Sequence, residues 1–130
     1  MHDNPTDRLV LVPGPDHPIT VTPASGQVLA TVDERTIADS ARALTLREEG
    51  FPPVQYIPRA DVDFTLLDAT DHETYCPYKG VAHYFSIRMG DVVLDNAVWT
   101  YEAPYPAVAE IKGHLAFYTD RVTVAERTVD

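Results

Sequence analysis

A period of two, broken by prolines and turn residues before it can run long, most restricts what this chain can fold into. Val28, Ala30 and Val32 alternate with Gln27, Leu29 and Thr31, the repeat of a strand with one face buried. Asp33-Glu34-Arg35 then turns the chain into Thr36-Ile37-Ala38, which makes a hairpin. Residues 43–48 put Leu44 and Leu46 on one face until Gly50 and Pro52-Pro53 interrupt them. Residues 54–57 read as a short fourth strand ended by Pro58, and residues 61–67 as a fifth, with Val62, Phe64 and Leu66 inward. A polar connection over residues 68–74 leads to a strand at residues 81–88. Met89-Gly90-Asp91 turns that strand back into Val92–Tyr101. Both faces of this longest hairpin are apolar or aromatic, so it belongs in the middle of the sheet.

One stretch reads as a helix. In YEAPYPAVAEIKGH, Pro106 suits a first turn, Val108 and Ile111 share a face, and Gly113 suits the left-handed residue past the end. Strands over residues 114–118 and 121–125 complete the pattern. The expectation is a mainly β, single small domain of antiparallel sheets with one short α-helix. Residues 1–18 hold four of the eleven prolines and little periodicity. They read as a loose arm, with residues 19–130 as one domain.

With 130 residues, 45% of them hydrophobic and 23% charged, the chain has a globular composition and can bury roughly two-thirds of its unfolded surface. No apolar run nears the ~20 residues that span a bilayer, so a soluble protein without a membrane partner is expected. The opening MHDNPTDRLVLVPGPDHP has no basic region followed by a long apolar stretch, and the single cysteine makes no intrachain disulfide. The first feature places the chain in the cytoplasm, and the second is compatible with a reducing compartment. A net charge of −10 repels phosphate backbones, which argues against a nucleic-acid partner.

Four runs carry a likeness to known proteins: PPVQYIPRADV, TYCPYKGVAHYFSI, DNAVWTYEAPYPAVAEIKGHLAFYTDRV and IADSARAL. Over about residues 19–126 the chain resembles the bacterial and fungal domain of unknown function 427 family. The resemblance implies a β-tent type fold, similar to the thalidomide-binding domain of cereblon and to methionine sulfoxide reductase B. Many such relatives hold zinc with paired cysteines, and one cysteine cannot build that site. His72, His83 and His114 match no ligand spacing, so neither a metal nor another cofactor is expected.

A nucleotidyltransferase label also accompanies the family. That chemistry needs a Gly-Ser turn and two carboxylates on alternate strand positions. Asp61-Val62-Asp63 supplies the pair, but Ser25-Gly26 stands in reversed order and no Gly-rich phosphate loop exists. Two outward aspartates on a solvated edge explain the same residues.

Cys76 reads two ways. Lys79 three residues on and His72 four residues back are cationic neighbours of the kind that activates a thiol. Equally, a small apolar residue before Pro77 packs at a hairpin mouth, and the expectation is that Cys76 lies beside a site to which Lys79 contributes more. Five of the seven tyrosines and the only tryptophan fall between residues 75 and 105. Such a cluster is first a core, and becomes a site where rings line a cleft with polar groups aimed inward.

The expected ligand set is Tyr56, Arg59, Tyr78, Lys79, Tyr84, Trp99 and Tyr101, suited to a small planar or anionic molecule. Arg59 is its bidentate anion holder, or else a surface partner of Asp61 or Asp63. Asn96, unusual inside a strand, caps a bulge or reaches the cleft. An enzyme using Cys76, Lys79, His114 or a tyrosine hydroxyl on the same pocket is the alternative. A protein-interaction domain is a third, and a homodimer through a sheet edge is a further expectation.

Overall fold

The computed structural model describes residues 8–127. Ten strands follow one another there: β1 (Ile19–Pro23), β2 (Gln27–Val32), β3 (Arg35–Ser40), β4 (Leu44–Glu48), β5 (Val54–Tyr56), β6 (Leu67–Cys76), β7 (Gly80–Met89), β8 (Val92–Tyr101), β9 (Leu115–Phe117) and β10 (Thr123–Arg127). They form three antiparallel sheets, ordered β1-β4-β5, β10-β2-β3 and β6-β7-β8-β9.

Alternation along the central strands explains the layering. Phe85 and Ile87 of β7, Val98 of β8, and Leu115 and Phe117 of β9 pack with Val28, Ala30 and Ile37 of the β10-β2-β3 sheet. Their neighbours Ala82 and Tyr84, Trp99 and Tyr101, and Ala116 pack with Leu46 and Tyr56 of the β1-β4-β5 sheet. The four-stranded sheet is therefore covered on both faces, which is why β7 and β8 are apolar on both. Reciprocal backbone hydrogen bonds of 2.8 Å between Ile57 and Leu115 tie β5 to β9.

The β2–β3 hairpin forms as read, with Asp33 and Glu34 both at positive φ (49° and 68°) in its two-residue turn. Four elements differ from the sequence reading. Residues 61–67 do not make a strand but two 3-10 turns, Arg59–Asp61 and Phe64–Leu66. The Asp63 carboxylate accepts the Thr65 N–H at 3.1 Å, so the backbone finds local partners in place of a ladder. Val62 and Leu66 are nonetheless buried, and Val62 keeps a single bridge to Ala38.

The polar connection over residues 68–74 is in fact part of β6, bulged between Ala69 and Glu73. An edge strand turned to solvent needs no apolar alternation, and its charges discourage pairing with other chains. The expected α-helix is a pair of 3-10 turns, Pro106–Ile111, joined at Val108, where φ is −127°. Six residues are too few to sustain an α-helix, and fully burying both Val108 and Ile111 decides the conformation. Gly113 has the expected positive φ, 72°. The last strand runs two residues later than expected and pairs with β2.

Candidate functional site

Between the β1-β4-β5 sheet and the four-stranded sheet the layers part into a cleft of about 480 Å³. Leu46 and Glu48 from β4 and Tyr56 from β5 form one wall. Cys76 from β6, Lys79 from the following turn, Tyr84 from β7, and Trp99 and Tyr101 from β8 form the other. A second cleft of about 410 Å³ shares Phe51, Pro52, Val54, Trp99 and Tyr118 with the first and extends to Phe117 and Val124.

Local sequence places Lys79 there. Pro77 is the second residue of a turn closed by the Lys79 N–H on the Cys76 carbonyl at 3.1 Å. Gly80 follows at φ 108° and returns the chain into β7. A Cβ on Gly80 would come within 3.4 Å of the Ala103 carbonyl. The close approach lets the Tyr105 N–H donate to the Lys79 carbonyl at 3.0 Å. The backbone on both sides of Lys79 is thereby fixed.

The Lys79 side chain is 11% exposed and donates to Glu48 Oε1 at 2.6 Å; Glu48 is 10% exposed. Glu48 Oε2 also meets His17 Nε2 at 2.8 Å. Burial pushes the Glu48 carboxyl up, but hydrogen bonds and charge from Lys79 and His17 outweigh it and hold the group below the ordinary carboxylate value. Lys79 Nζ also lies 3.7 Å from Cys76 Sγ. Imidazole, carboxylate, ammonium and thiol thus stand in one line that ends at the cleft.

The aromatic groups are hydrogen-bonded to one another. Trp99 Nε1 donates to the Tyr56 hydroxyl at 3.2 Å, and the Tyr84 hydroxyl meets Thr74 Oγ1 at 2.9 Å and the Tyr118 hydroxyl at 3.2 Å. Trp99 and Tyr118 pack ring on ring, 4.6 Å between centroids. Burial pushes the Tyr118 hydroxyl up to about 12, with the Tyr84 hydrogen bond adding to it, and burial raises Tyr56 and Tyr101 as well. These three phenols stay protonated at neutral pH. Tyr101 is 7% exposed, and its hydroxyl has no hydrogen-bond partner among the described residues.

Tyr56, Cys76, Lys79, Tyr84, Trp99 and Tyr101 are therefore brought together, and three other expected residues lie elsewhere. The Arg59 guanidinium stacks over Phe64, 4.9 Å from its centroid, and pairs with Glu102 at 3.5 Å, not with Asp61 or Asp63. Tyr78 stacks on His17 at 4.3 Å. His114 Nδ1 is bound to the Lys112 carbonyl at 3.0 Å on the exposed side. His72 packs against Tyr84, 4.5 Å between centroids.

Glu48, His17, Thr74 and Tyr118 were not singled out from the sequence. Glu48 ends β4 and His17 belongs to the stretch read as an arm, so nothing local marks either. Residues 1–7 of that stretch lie outside the described residues; residues 8–18 are joined to the domain, with the Leu11 N–H on the Pro77 carbonyl at 3.0 Å and the Tyr75 hydroxyl on the Leu9 carbonyl at 2.6 Å.

Asp61 and Asp63 flank no common strand face. Asp61 accepts from Ser40 at 2.7 Å and from Arg42, while Asp63 caps its own turn. Asn96 sits at φ 51° beside the irregularity between Phe85 and Ile87, and its Oδ1 accepts from Thr70 Oγ1 at 2.7 Å. Of the two roles read for it, the bulge is the one observed. Among the described residues no three His, Cys, Asp or Glu side chains gather to hold a metal ion, and no helix is long and apolar enough to cross a membrane.

Compared with known families, the chain matches the profile of a family described as a domain of unknown function (DUF427) over residues 20–128. No curated protein matches the chain.

Proposed function

We propose that this chain, which belongs to the domain of unknown function 427 family, binds a small planar molecule in the cleft between its sheets. The observation that carries the reading is the convergence of Tyr56, Tyr84, Trp99, Tyr101 and Tyr118 from two sheets on one opening of about 480 Å³. That volume is in the range of small-molecule sites, and flat aromatic walls with a few polar groups favour flat ligands.

The geometry favours a planar ligand over an anionic one. Among the described residues Lys79 is the only cation lining the cleft, and Glu48 already neutralises it. Arg59 stands outside. The polar group left to a ligand is the Tyr101 hydroxyl, which lines the cleft, has no protein hydrogen-bond partner among the described residues and stays open to solvent until a ligand accepts from it. A cytoplasmic setting is proposed with it, supported by the free thiol of Cys76 at the cleft.

Trp99 is the only tryptophan and lines both clefts, so its emission reports occupancy directly. The test is titration with matched panels of neutral heteroaromatic and aromatic carboxylate fragments, read by Trp99 emission and thermal shift. Saturable quenching by neutral planar fragments, lost in Tyr101→Phe, supports the reading. A protein that no fragment quenches or stabilises is not a planar-ligand binder.

A further inference from the structure

Resting on the binding reading above, the inference concerns what the cleft does to its ligand. The chain's only thiol stands at the end of the line His17, Glu48, Lys79, Cys76, with steps of 2.8, 2.6 and 3.7 Å. One carboxylate there faces an ammonium on one oxygen and an imidazole on the other. Lys79 Nζ is the cation nearest the sulfur.

A second, independent observation points to a ligand beside that thiol. Tyr101 is more than nine-tenths buried and lines the same cleft, and its hydroxyl has no partner among the described residues. Tyr101 on β8 and Cys76 at the end of β6 belong to the same wall of that cleft. A phenol that stays protonated at neutral pH in the wall of a cleft is a donor for a developing oxyanion.

We propose that Cys76 is a nucleophile that adds to a planar α,β-unsaturated carbonyl compound bound in this cleft, with the Tyr101 hydroxyl holding the carbonyl oxygen. Such a compound is flat, offers one oxygen to one donor, and has its electrophilic carbon displaced from that oxygen. A sulfur lone pair forms the C–S bond at the β carbon. The C=C π pair moves to make an enolate, whose oxygen Tyr101 stabilises. Lys79 delivers a proton to the α carbon and is restored by the proton the thiol gives up. The sum is an addition in which nothing is oxidised, reduced or released.

The test uses benzylideneacetone, a planar enone whose near-ultraviolet band disappears on addition, with intact-mass measurement of the protein and Trp99 emission followed in parallel. Expected are a single adduct at Cys76 and a rate that saturates with probe. The rate should exceed that of N-acetylcysteine by about tenfold or more at pH 7. Tyr101→Phe should slow enone addition about tenfold while leaving iodoacetamide alkylation unchanged, a split that a packing role would not produce. Lys79→Met should slow both reactions; should that variant not fold, the wild-type and Tyr101→Phe comparison decides alone. A wild-type rate no faster than N-acetylcysteine, or equal rates in Tyr101→Phe, overturns the proposal. Reversible quenching of Trp99 without an adduct overturns it and leaves the binding reading standing; neither quenching nor adduct overturns both.

Discussion

Lys79 Nζ and Glu48 Oε1 meet at 2.6 Å across the seam between two sheets. Lys79 comes from the turn after β6 and Glu48 from the end of β4, 31 residues apart in the chain. The pair fastens the β1-β4-β5 layer to the four-stranded layer at the mouth of the cleft, and both charges are nearly out of water.

Removing one partner leaves the other charge buried, so Lys79→Met and Glu48→Gln should each cost about 2–4 kcal/mol. This is the lower part of the range for broken buried pairs, because some solvent still reaches both side chains. The double variant should lose less than the sum of the two, since it leaves no orphaned charge. Urea unfolding of the four proteins measures the coupling; strict additivity would show that the contact contributes nothing.

Acid should unfold the protein through its depressed carboxyls. Glu48 is held below its ordinary value against the upward push of burial, and Asp61 is lowered by the Ser40 hydrogen bond and by Arg42. A group depressed in the folded state adds stability above its unfolded value, near ~4.3 for Glu and ~3.9 for Asp, and loses it as pH falls through the folded value. Stability from these groups should be level above about pH 5 and fall below about pH 4. Unfolding free energies across that range should show a shallower acid limb in Glu48→Gln. An unchanged limb would mean that Glu48 does not titrate with folding.

Arg59 should be dispensable for ligand. Its guanidinium lies over Phe64 and beside Glu102, both outside the cleft. Arg59→Ala should leave any Trp99-reported affinity unchanged and cost about 0–1 kcal/mol of stability, as expected for an exposed pair and an exposed stacking contact. A tenfold loss of affinity would return Arg59 to the site.

Asn96 combines a left-handed backbone with a side-chain hydrogen bond to Thr70. Asn96→Gly keeps the backbone and loses only the bond, costing about 1 kcal/mol. Asn96→Val adds β-branched strain at positive φ and should cost about 2–4 kcal/mol. Thermal unfolding orders the two; an equal loss would mean that the φ value carries no strain.

Much of this protein follows from the sequence alone, because strand alternation is a local signal. The β2–β3 and β7–β8 hairpins, the central place of the latter and the burial of Val108 and Ile111 all rest on neighbours a few residues apart. So does the clustering of Tyr84, Trp99 and Tyr101, which β7 and β8 place on one face by register. Where local and tertiary demands compete, the sequence reading departs from the structure. Asp63 capping turned a strand pattern into 3-10 turns, and the exposed edge of β6 was polar enough to pass for a loop.

The charge arrangement at the cleft was decided only by tertiary structure. Layer packing delivers Glu48 to Lys79, joins His17 to them, and keeps Arg59 on the outside. The physical reason is range. Period and turn chemistry act over two to four residues, whereas a buried charge takes whichever opposite charge the folded layers bring within 3 Å, at any distance along the chain.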